Sequence, residues 1–182
     1  MRKLAIGKLA VTTLILGCFI LLLTVSPKAQ APAPAAATDI TAAQIQAFIK
    51  DAPKDRNSDR AIRVIDAGGY HVGLFGVFRP KEAPITASVH QTTATETYYM
   101  VEGAGVLVTG GTLKQPTTPR PSAMGNWTDL GSSGIEGGVS RRLSKGDVVI
   151  IPGGVPHGWA SVESDITYLI VRSDPDKKIP LK

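Results

Sequence analysis

From residue 61 onward, apolar and polar positions alternate in short stretches that Gly and Pro interrupt. Alternation with a period of two is typical of strands that bury one face. Nine stretches of this kind follow one another: AIRVIDAG, YHVGLFGVFRP, ITASVHQT, ATETYYMVEG, AGVLVTGG, VSRRL, DVVIIPG, GWASVES and ITYLIVRS. The pattern predicts an all-β fold, a single small antiparallel β-barrel or sandwich over residues 61–174.

A helical periodicity precedes the strands. Within residues 38–60, Thr41 and Gln44 fit a capping box at the start of a helix. Apolar residues then recur on one helical face: Ile45, Phe48 and Ile49. We therefore expect a short N-terminal helix and connector, with the apolar face docked on the β domain.

Residues 111–138 separate the fifth and sixth strands and are rich in Gly, Pro, Ser and Thr. A loop of this length in a compact domain is usually functional or disordered. Trp127 lies in its middle, so the segment is either a lid over a site or a mobile surface excursion. After the last strand, residues 175–182 are expected to form a C-terminal tail.

The beginning of the chain has a different composition. Arg2, Lys3 and Lys8 precede an apolar run over residues 9–25, and a Pro/Ala-rich segment follows up to residue 37. This order is typical of a signal peptide and predicts a periplasmic or secreted protein. The alternative is an uncleaved membrane anchor, because the apolar run is at the lower limit of a bilayer-spanning length.

Charge and cysteine content narrow the classes of function. Four of the 20 basic side chains lie in residues 1–37, which leaves 16 basic against 15 acidic side chains. A near-neutral domain gives no electrostatic reason to expect a nucleic-acid partner. Cys18, the single cysteine, also lies in this leader, so the β domain has neither a cysteine nucleophile nor Cys-ligated zinc.

Two stretches concentrate the residue types that carry chemistry. The first is HQTTATETYYMVEG, residues 90–103. Alternation gives the same parity to five of its residues, although a turn in QTTAT would interrupt the strand: His90, Thr92, Glu96, Tyr98 and Met100. If Glu96 points into the barrel, Tyr98 and Met100 do so as well.

The second stretch is GDVVIIPGGVPHGW, in which His157, Trp159 and the following Ser161 share parity. The interior of a barrel would therefore hold His90, Glu96 and His157 together. Two imidazoles and one carboxylate on one face form the two-histidine, one-carboxylate set that binds transition metals.

These stretches resemble the two motifs of the cupin superfamily, G-x5-H-x-H-x(3,4)-E-x6-G and G-x5-P-x-G-x2-H-x3-N. The matching positions are His90, Glu96, Gly103, Gly146, Pro152, Gly154 and His157. Three positions depart from the motifs: Pro84 replaces the first Gly, Thr92 the second His and Ser161 the final Asn. The resemblance covers about residues 61–173.

The resemblance implies a cupin fold, that is, a double-stranded β-helix of jelly-roll type, and it makes a homodimer an expectation. It also implies one divalent transition metal (Fe, Mn, Zn or Ni) bound by His90, Glu96 and His157. A threonine hydroxyl is a poorer ligand than imidazole. Thr92 therefore leaves two alternatives, a three-ligand site with open positions or a site that has lost its metal.

Two classes of function follow. In the first, an exported metal-dependent enzyme of oxygenase, isomerase or lyase type acts on a small molecule, with Tyr98 as a proton donor. Thr92, Met100 and Trp159 are then expected to contact the substrate. In the second, the barrel binds a small ligand without metal and without catalysis. A purely structural envelope protein ranks last.

Overall fold

The structure is a computed structural model that describes residues 36–182. The apolar run over residues 9–25 lies outside the described residues, and so does the choice between signal peptide and membrane anchor. Within residues 36–182, no helix has both the length and the apolar character needed to cross a membrane.

The described residues form one helix and thirteen strands. Their bounds are α1 Ala42–Lys50, β1 Ser58–Asp66, β2 His71–Arg79, β3 Ala87–His90, β4 Thr95–Glu102, β5 Ala104–Thr109, β6 Thr112–Leu113, β7 Arg120–Pro121, β8 Thr128–Ser132, β9 Ile135–Glu136, β10 Val139–Ser144, β11 Val148–Ile151, β12 His157–Val162 and β13 Ile166–Asp174. All nine stretches predicted as strands contain a strand.

The strands form two main sheets and one short pair. The five-stranded sheet has the order β1-β2-β13-β4-β11, and the six-stranded sheet has the order β10-β5-β12-β3-β8-β7. β6 pairs with β9. Every pairing is antiparallel. The chain thus passes repeatedly from one sheet to the other, and the predicted all-β, jelly-roll architecture is confirmed.

One hydrophobic cluster joins the inner faces of the two sheets. It includes Phe75 and Met100 from the five-stranded sheet and Leu107 and Trp159 from the six-stranded sheet. Toward one end of the sheets the buried residues become polar, with Glu96, His157 and Arg172 all less than a tenth exposed. Buried polar groups of this kind need partners, and this end of the molecule holds the site described below.

The alternation predicted for β4 is confirmed. Glu96, Tyr98 and Met100 are buried, while Tyr99 between them is 48% exposed. His90, in contrast, ends β3 in the other sheet, and a turn over residues 91–94 separates it from β4. His90 and Glu96 therefore approach each other across the two sheets and do not lie along one strand.

The alternation predicted for β12 holds only for its first half. His157 and Trp159 are both buried. A register shift between Trp159 and Ser161 against β5 marks a β-bulge, which adds a residue and reverses the parity. Ser161 is consequently exposed, and the prediction that it shares the inner face is wrong.

The helix begins as the capping box predicts. The backbone N–H of Gln44 donates to the Thr41 hydroxyl (3.2 Å), and the Thr41 N–H donates to the Gln44 side chain (2.8 Å). Phe48 on the apolar face packs over Gly76 of β2, where an added Cβ would lie 2.7 Å from the ring. The helix thus covers the outer face of the five-stranded sheet at β2.

Residues 111–138 are more ordered than a single long loop. They contain β6, β7, β8 and β9, and β8 pairs with β3 so that Asp129 lies opposite His90. Trp127, just before β8, is 8% exposed. The sequence TDLGS of β8 lacks the apolar alternation of the other strands, because the residues that it buries are polar, Asp129 and Ser132.

Residues 175–182 fold back along the first strand. The backbone groups of Val64 and Lys182 exchange two hydrogen bonds, of 3.0 and 3.1 Å. Ile179 is 1% exposed within the hydrophobic cluster, and Lys177 pairs with Asp66 (2.7 Å). The C-terminal segment therefore belongs to the packed domain.

Candidate metal centre

The three residues of the predicted metal site lie together. One nitrogen of His90, one carboxylate oxygen of Glu96 and one nitrogen of His157 are all within 4.8 Å of one another. His90 comes from the end of β3, Glu96 from β4 and His157 from the start of β12. Nε2 of His157 lies 3.3 Å from Oε2 of Glu96.

His157 has a defined tautomer. Its Nδ1 lies 2.9 Å from the carbonyl oxygen of Val155, and because a carbonyl only accepts, Nδ1 carries the hydrogen. Nε2 is thereby left to face Glu96. Burial lowers the pKa of His157, but the hydrogen bond and charge of Glu96 outweigh burial and raise that pKa above its usual value.

His90 is oriented by the same principle. Its Nδ1 lies 2.7 Å from Oδ1 of Asp129, and the indole N–H of Trp127 donates to the same oxygen (2.9 Å). Burial raises the pKa of Asp129, but the hydrogen bond and charge of His90, together with hydrogen bonds from Ser122 and Trp127, lower it below its usual value. An ionised Asp129 holds the hydrogen on Nδ1 of His90, which leaves Nε2 available as a ligand atom.

Glu96 has partners on both oxygens. Nε of Arg172 donates to Oε1 (2.7 Å), and the hydroxyl of Tyr98 donates to Oε2 (3.1 Å). Burial alone would raise the pKa of Glu96, but Arg172 and then His157 hold it well below its usual value. The carboxylate is therefore ionised, and Oε2 is the oxygen that faces His157.

Arg172 was not identified from the sequence, and it organises the base of the site. Its side chain is 2% exposed, it stacks on Phe75 at 4.1 Å, and it donates two further hydrogen bonds to Asp59 (3.1 and 2.6 Å). A signal was present in the strand ITYLIVRS, where Arg172 has the same parity as the buried Ile166 and Ile170. A cation at an inward position requires buried acids.

The residues fit a transition metal. Ligand atoms about 2.1 Å from one metal at tetrahedral or octahedral angles lie about 3 to 3.5 Å apart, as Glu96 and His157 do. A small cavity of about 10 Å³, lined by His90, Glu96, His157 and Thr92 among others, lies at the ligand atoms. A cavity of this size holds about one water-sized particle. Two oriented imidazoles and one carboxylate suit iron, manganese, zinc or nickel.

Thr92 lies at this small cavity but its hydroxyl already has a partner. The Oγ1 atom accepts a hydrogen bond from the N–H of Ala94 (3.2 Å) within the turn that joins β3 to β4. The residue that replaces the second motif histidine thus stabilises the turn locally. Its predicted contact with a substrate stays a prediction.

A larger cavity of about 360 Å³ opens from the two histidines. Tyr98 and Trp159 line this cavity, whereas Met100 is 0% exposed, belongs to the hydrophobic cluster and does not line it. The predicted substrate contacts of Met100 and Trp159 stay predictions. Burial, followed by the charge of Glu96, raises the pKa of Tyr98 well above its usual value. Its hydroxyl positions Glu96, and its predicted role as proton donor stays a prediction.

Comparisons with known proteins identify the fold. No protein-family model matches the chain, and no curated protein matches it. Among solved structures, an uncharacterized conserved protein with a double-stranded β-helix domain from Klebsiella pneumoniae is similar, with a TM-score of 0.50 and 12% identity over 80% of this chain and 97% of that one.

Two further structures are more distant. The DMSP lyase DddQ from Ruegeria pomeroyi has a TM-score of 0.45 and 16% identity, over 86% of this chain and 83% of that chain. The EutQ protein of Clostridium difficile has a TM-score of 0.40 and 13% identity, over 66% and 69%. The two facing antiparallel sheets and the likeness to the Klebsiella protein show that this chain has the double-stranded β-helix fold.

Proposed function

We propose that the protein binds one divalent transition metal through His90, Glu96 and His157 and acts on a small molecule in the adjoining cavity. One observation carries the proposal. Each imidazole has its Nδ1 hydrogen bonded, one to Asp129 and the other to the carbonyl of Val155, so that both Nε2 atoms are left for a shared ligand. Such outer hydrogen bonds are typical of metal-binding histidines.

The chemistry would divide between the metal and the protein. With three protein ligands, a bound metal keeps open positions and supplies Lewis-acid or redox chemistry of oxygenase, isomerase or lyase type. The protein contributes a cavity with an apolar wall at Trp159 and a fixed carboxylate at Glu96. Tyr98, whose hydroxyl donates to that carboxylate, keeps it turned toward His157.

The second candidate function is non-catalytic binding of a small ligand without metal. A specific observation favours it, because Arg172, Tyr98 and His157 together satisfy both oxygens of Glu96. A buried carboxylate with these partners needs no metal to compensate its charge. The cavity would then be a binding site, and His90 and His157 would be structural.

Metal content of the full-length protein, purified without chelator, tests the first candidate. We expect about one transition metal per chain by elemental analysis, and its loss in His90→Ala and Glu96→Gln. Glu163→Gln is the matched control, because Glu163 is a half-exposed carboxylate paired with Arg142 outside the site. Protein that neither retains nor takes up any of iron, manganese, zinc or nickel would exclude the metal proposal.

Ligand binding after chelation separates the two candidates. If the metal functions in catalysis, adding it back must restore an activity that chelation removes. If the protein is a metal-free binding module, chelation leaves ligand affinity unchanged. Glu96→Gln then lowers the free energy of unfolding and leaves the metal content as low as in the unmutated protein.

A further inference from the structure

A second buried arginine lies in the large cavity, away from the metal centre. Arg79 ends β2, is 4% exposed and lines that cavity. It pairs with Ile166 at the start of β13, whereas Arg172 lies six residues further along the same strand. At about 3.3 Å per residue, the backbones of Ile166 and Arg172 on β13 are about 20 Å apart. The backbones of the two arginines thus lie far apart along β13, although the guanidinium of Arg172 reaches back to Asp59, which lies opposite Val77.

Arg79 has no carboxylate partner among the described residues. Its Nη2 donates to the carbonyl oxygens of Ala83 (3.1 Å) and Pro84 (2.7 Å), while its buried Nε has no acceptor in residues 36–182. Burial lowers the pKa of this guanidinium, as expected for a cation that has lost water without gaining an acid. Buried charges are normally paired, but residues 36–182 supply no carboxylate for this side chain.

The acids that line the cavity are already engaged. Asp59 accepts both of its hydrogen bonds from Arg172, and Asp129 accepts from an imidazole of the metal centre. Arg79 and the exposed Arg120 are the remaining arginines of the lining, and within residues 36–182 neither forms an ion pair with a carboxylate. Arg120 lies opposite Asp129, which in turn lies opposite His90, so Arg79 is the arginine without an ion pair that lies away from the proposed metal ligands.

Part of the wall is apolar and aromatic, and Thr86 and Ser88 add hydroxyl groups. The apolar and aromatic residues are Val77, Leu107, Met124, Trp159 and Tyr168. A volume of about 360 Å³ is near the lower end of the range for small-molecule sites. A ligand that fits has few atoms, an apolar or aromatic body and one anionic end.

We propose that the ligand of this cavity is a small carboxylate with an apolar body, and that its carboxylate pairs with Arg79. The inference names the ligand class for the small-molecule site and so rests on the proposed function. A guanidinium and a carboxylate form charge-assisted hydrogen bonds, often two in parallel. With the carboxylate on Arg79, the body of the ligand lies against Trp159 and its other end faces His90 and His157.

The test compares carboxylates with their uncharged amides on the full-length, chelator-treated protein. The probes are benzoate, phenylacetate and 4-hydroxybenzoate, each beside its own amide, titrated by calorimetry. We expect the carboxylates that bind to do so about tenfold more tightly than their amides. Amides that bind as tightly as the acids, or a complete lack of carboxylate binding at millimolar concentration, would overturn the assignment.

Two variants of Arg79 test whether this residue causes the preference for carboxylates over amides. Arg79→Gln should abolish the carboxylate preference, and Arg79→Lys should keep part of it because the charge remains. Arg142→Gln is the matched control, since Arg142 is a half-exposed arginine paired with Glu163 outside the cavity, and it should bind as the unmutated protein does. A preference that persists in a folded Arg79→Gln protein would assign the anion to another residue. If that variant does not fold, the acid-to-amide ratio of the unmutated protein still decides.

Failure of this inference is distinguishable from failure of the metal proposal. The binding measurement uses metal-free protein, and metal content is determined separately. Carboxylate binding through Arg79 in a chain that takes up no metal would refute the metal centre and leave this inference standing. A metal-loaded protein without carboxylate preference would refute this inference alone.

Discussion

At the residue scale, the guanidinium of Arg172 joins three strands of one sheet. Arg172 lies in β13, and its hydrogen bonds reach Asp59 in β1 and Glu96 in β4. The position of Glu96 therefore depends on its ion pair with Arg172, whose other acidic partner is Asp59.

Removing this guanidinium should destabilise the metal-free protein. Arg172→Met leaves Glu96 buried with only Tyr98 and His157, and we expect the free energy of unfolding to fall by about 3–5 kcal/mol. Urea denaturation with chelator present measures the loss. Arg142→Met, at an exposed ion pair, should have little effect. Equal losses in the two variants would show that Arg172 does not stabilise the site.

Metal binding should depend on pH through His157. The ring must lose its Nε2 proton to bind a metal, and its pKa is raised above the usual value. The proton is therefore held more tightly than in an ordinary histidine, so the apparent affinity should fall as the pH is lowered from 8 to 6. Cobalt titrations followed by visible absorption at several pH values measure this. An affinity that is independent of pH would contradict it.

The residues of the site were only partly predictable. The spacing in two motifs predicted that His90, Glu96 and His157 would meet, and they do. That they bind a metal stays a prediction. Arg172 and Asp129 were missed because each acts through a partner distant in sequence, and a local pattern does not specify which inward cation meets which acid.

At the scale of elements, β8 supplies the support of the metal centre from within residues 111–138. Its pairing with β3 places Asp129 opposite His90, and the preceding Trp127 donates to the same carboxylate. The sequence predicted a loop there because β8 is polar and short. A strand whose buried residues are polar, here Asp129 and Ser132, leaves no hydrophobic pattern to detect.

Asp129 should therefore control metal affinity. Asp129→Asn removes the charge that holds the hydrogen on Nδ1 of His90, and we expect metal affinity to fall about 10- to 100-fold. Competition with a coloured chelator measures the affinity. Asp147→Asn, at a turn where Asp147 accepts from Ser144, should keep the affinity of the unmutated protein. An unchanged affinity in Asp129→Asn would show that β8 is irrelevant to the metal.

The turn between β4 and β5 should tolerate no side chain. Gly103 has a φ of 82°, and a Cβ there would collide with the carbonyl oxygen of Asp165. Gly110 has a φ of 78° but open space around it. Gly110→Ala should therefore cost about 1 kcal/mol from the left-handed backbone alone, and Gly103→Ala about 3 kcal/mol or more. Urea denaturation compares them, and equal losses would contradict the collision.

At the scale of the whole molecule, the fold was predictable because the alternation recurs nine times with turns between the repeats. The buried arginines in the space between the sheets were not predictable. The positions of Arg79 and Arg172 in that space depend on the register of β2 and β13, which side-chain periodicity does not specify. The expected homodimer and the expected export both stay predictions.

Metal should stabilise the entire domain. A ligand that binds only the folded state at 100 times its dissociation constant raises the free energy of unfolding by about 2.7 kcal/mol. We expect zinc or manganese at that excess to shift the urea midpoint of the unmutated protein accordingly, and to leave Glu96→Gln unshifted. A shift of the same size in both proteins would place the metal elsewhere.

The ion pairs of Arg172 with Glu96 and Asp59 also bear on the order in which the protein folds and binds a metal. Because the acid of the metal centre already has a cation from the chain itself, the sheets can close before any metal arrives. Folding and metal loading are then separate steps, unlike in small domains whose folding waits for the ion. Which metal the protein carries would be decided after folding, by whichever ion is most available where the finished molecule resides.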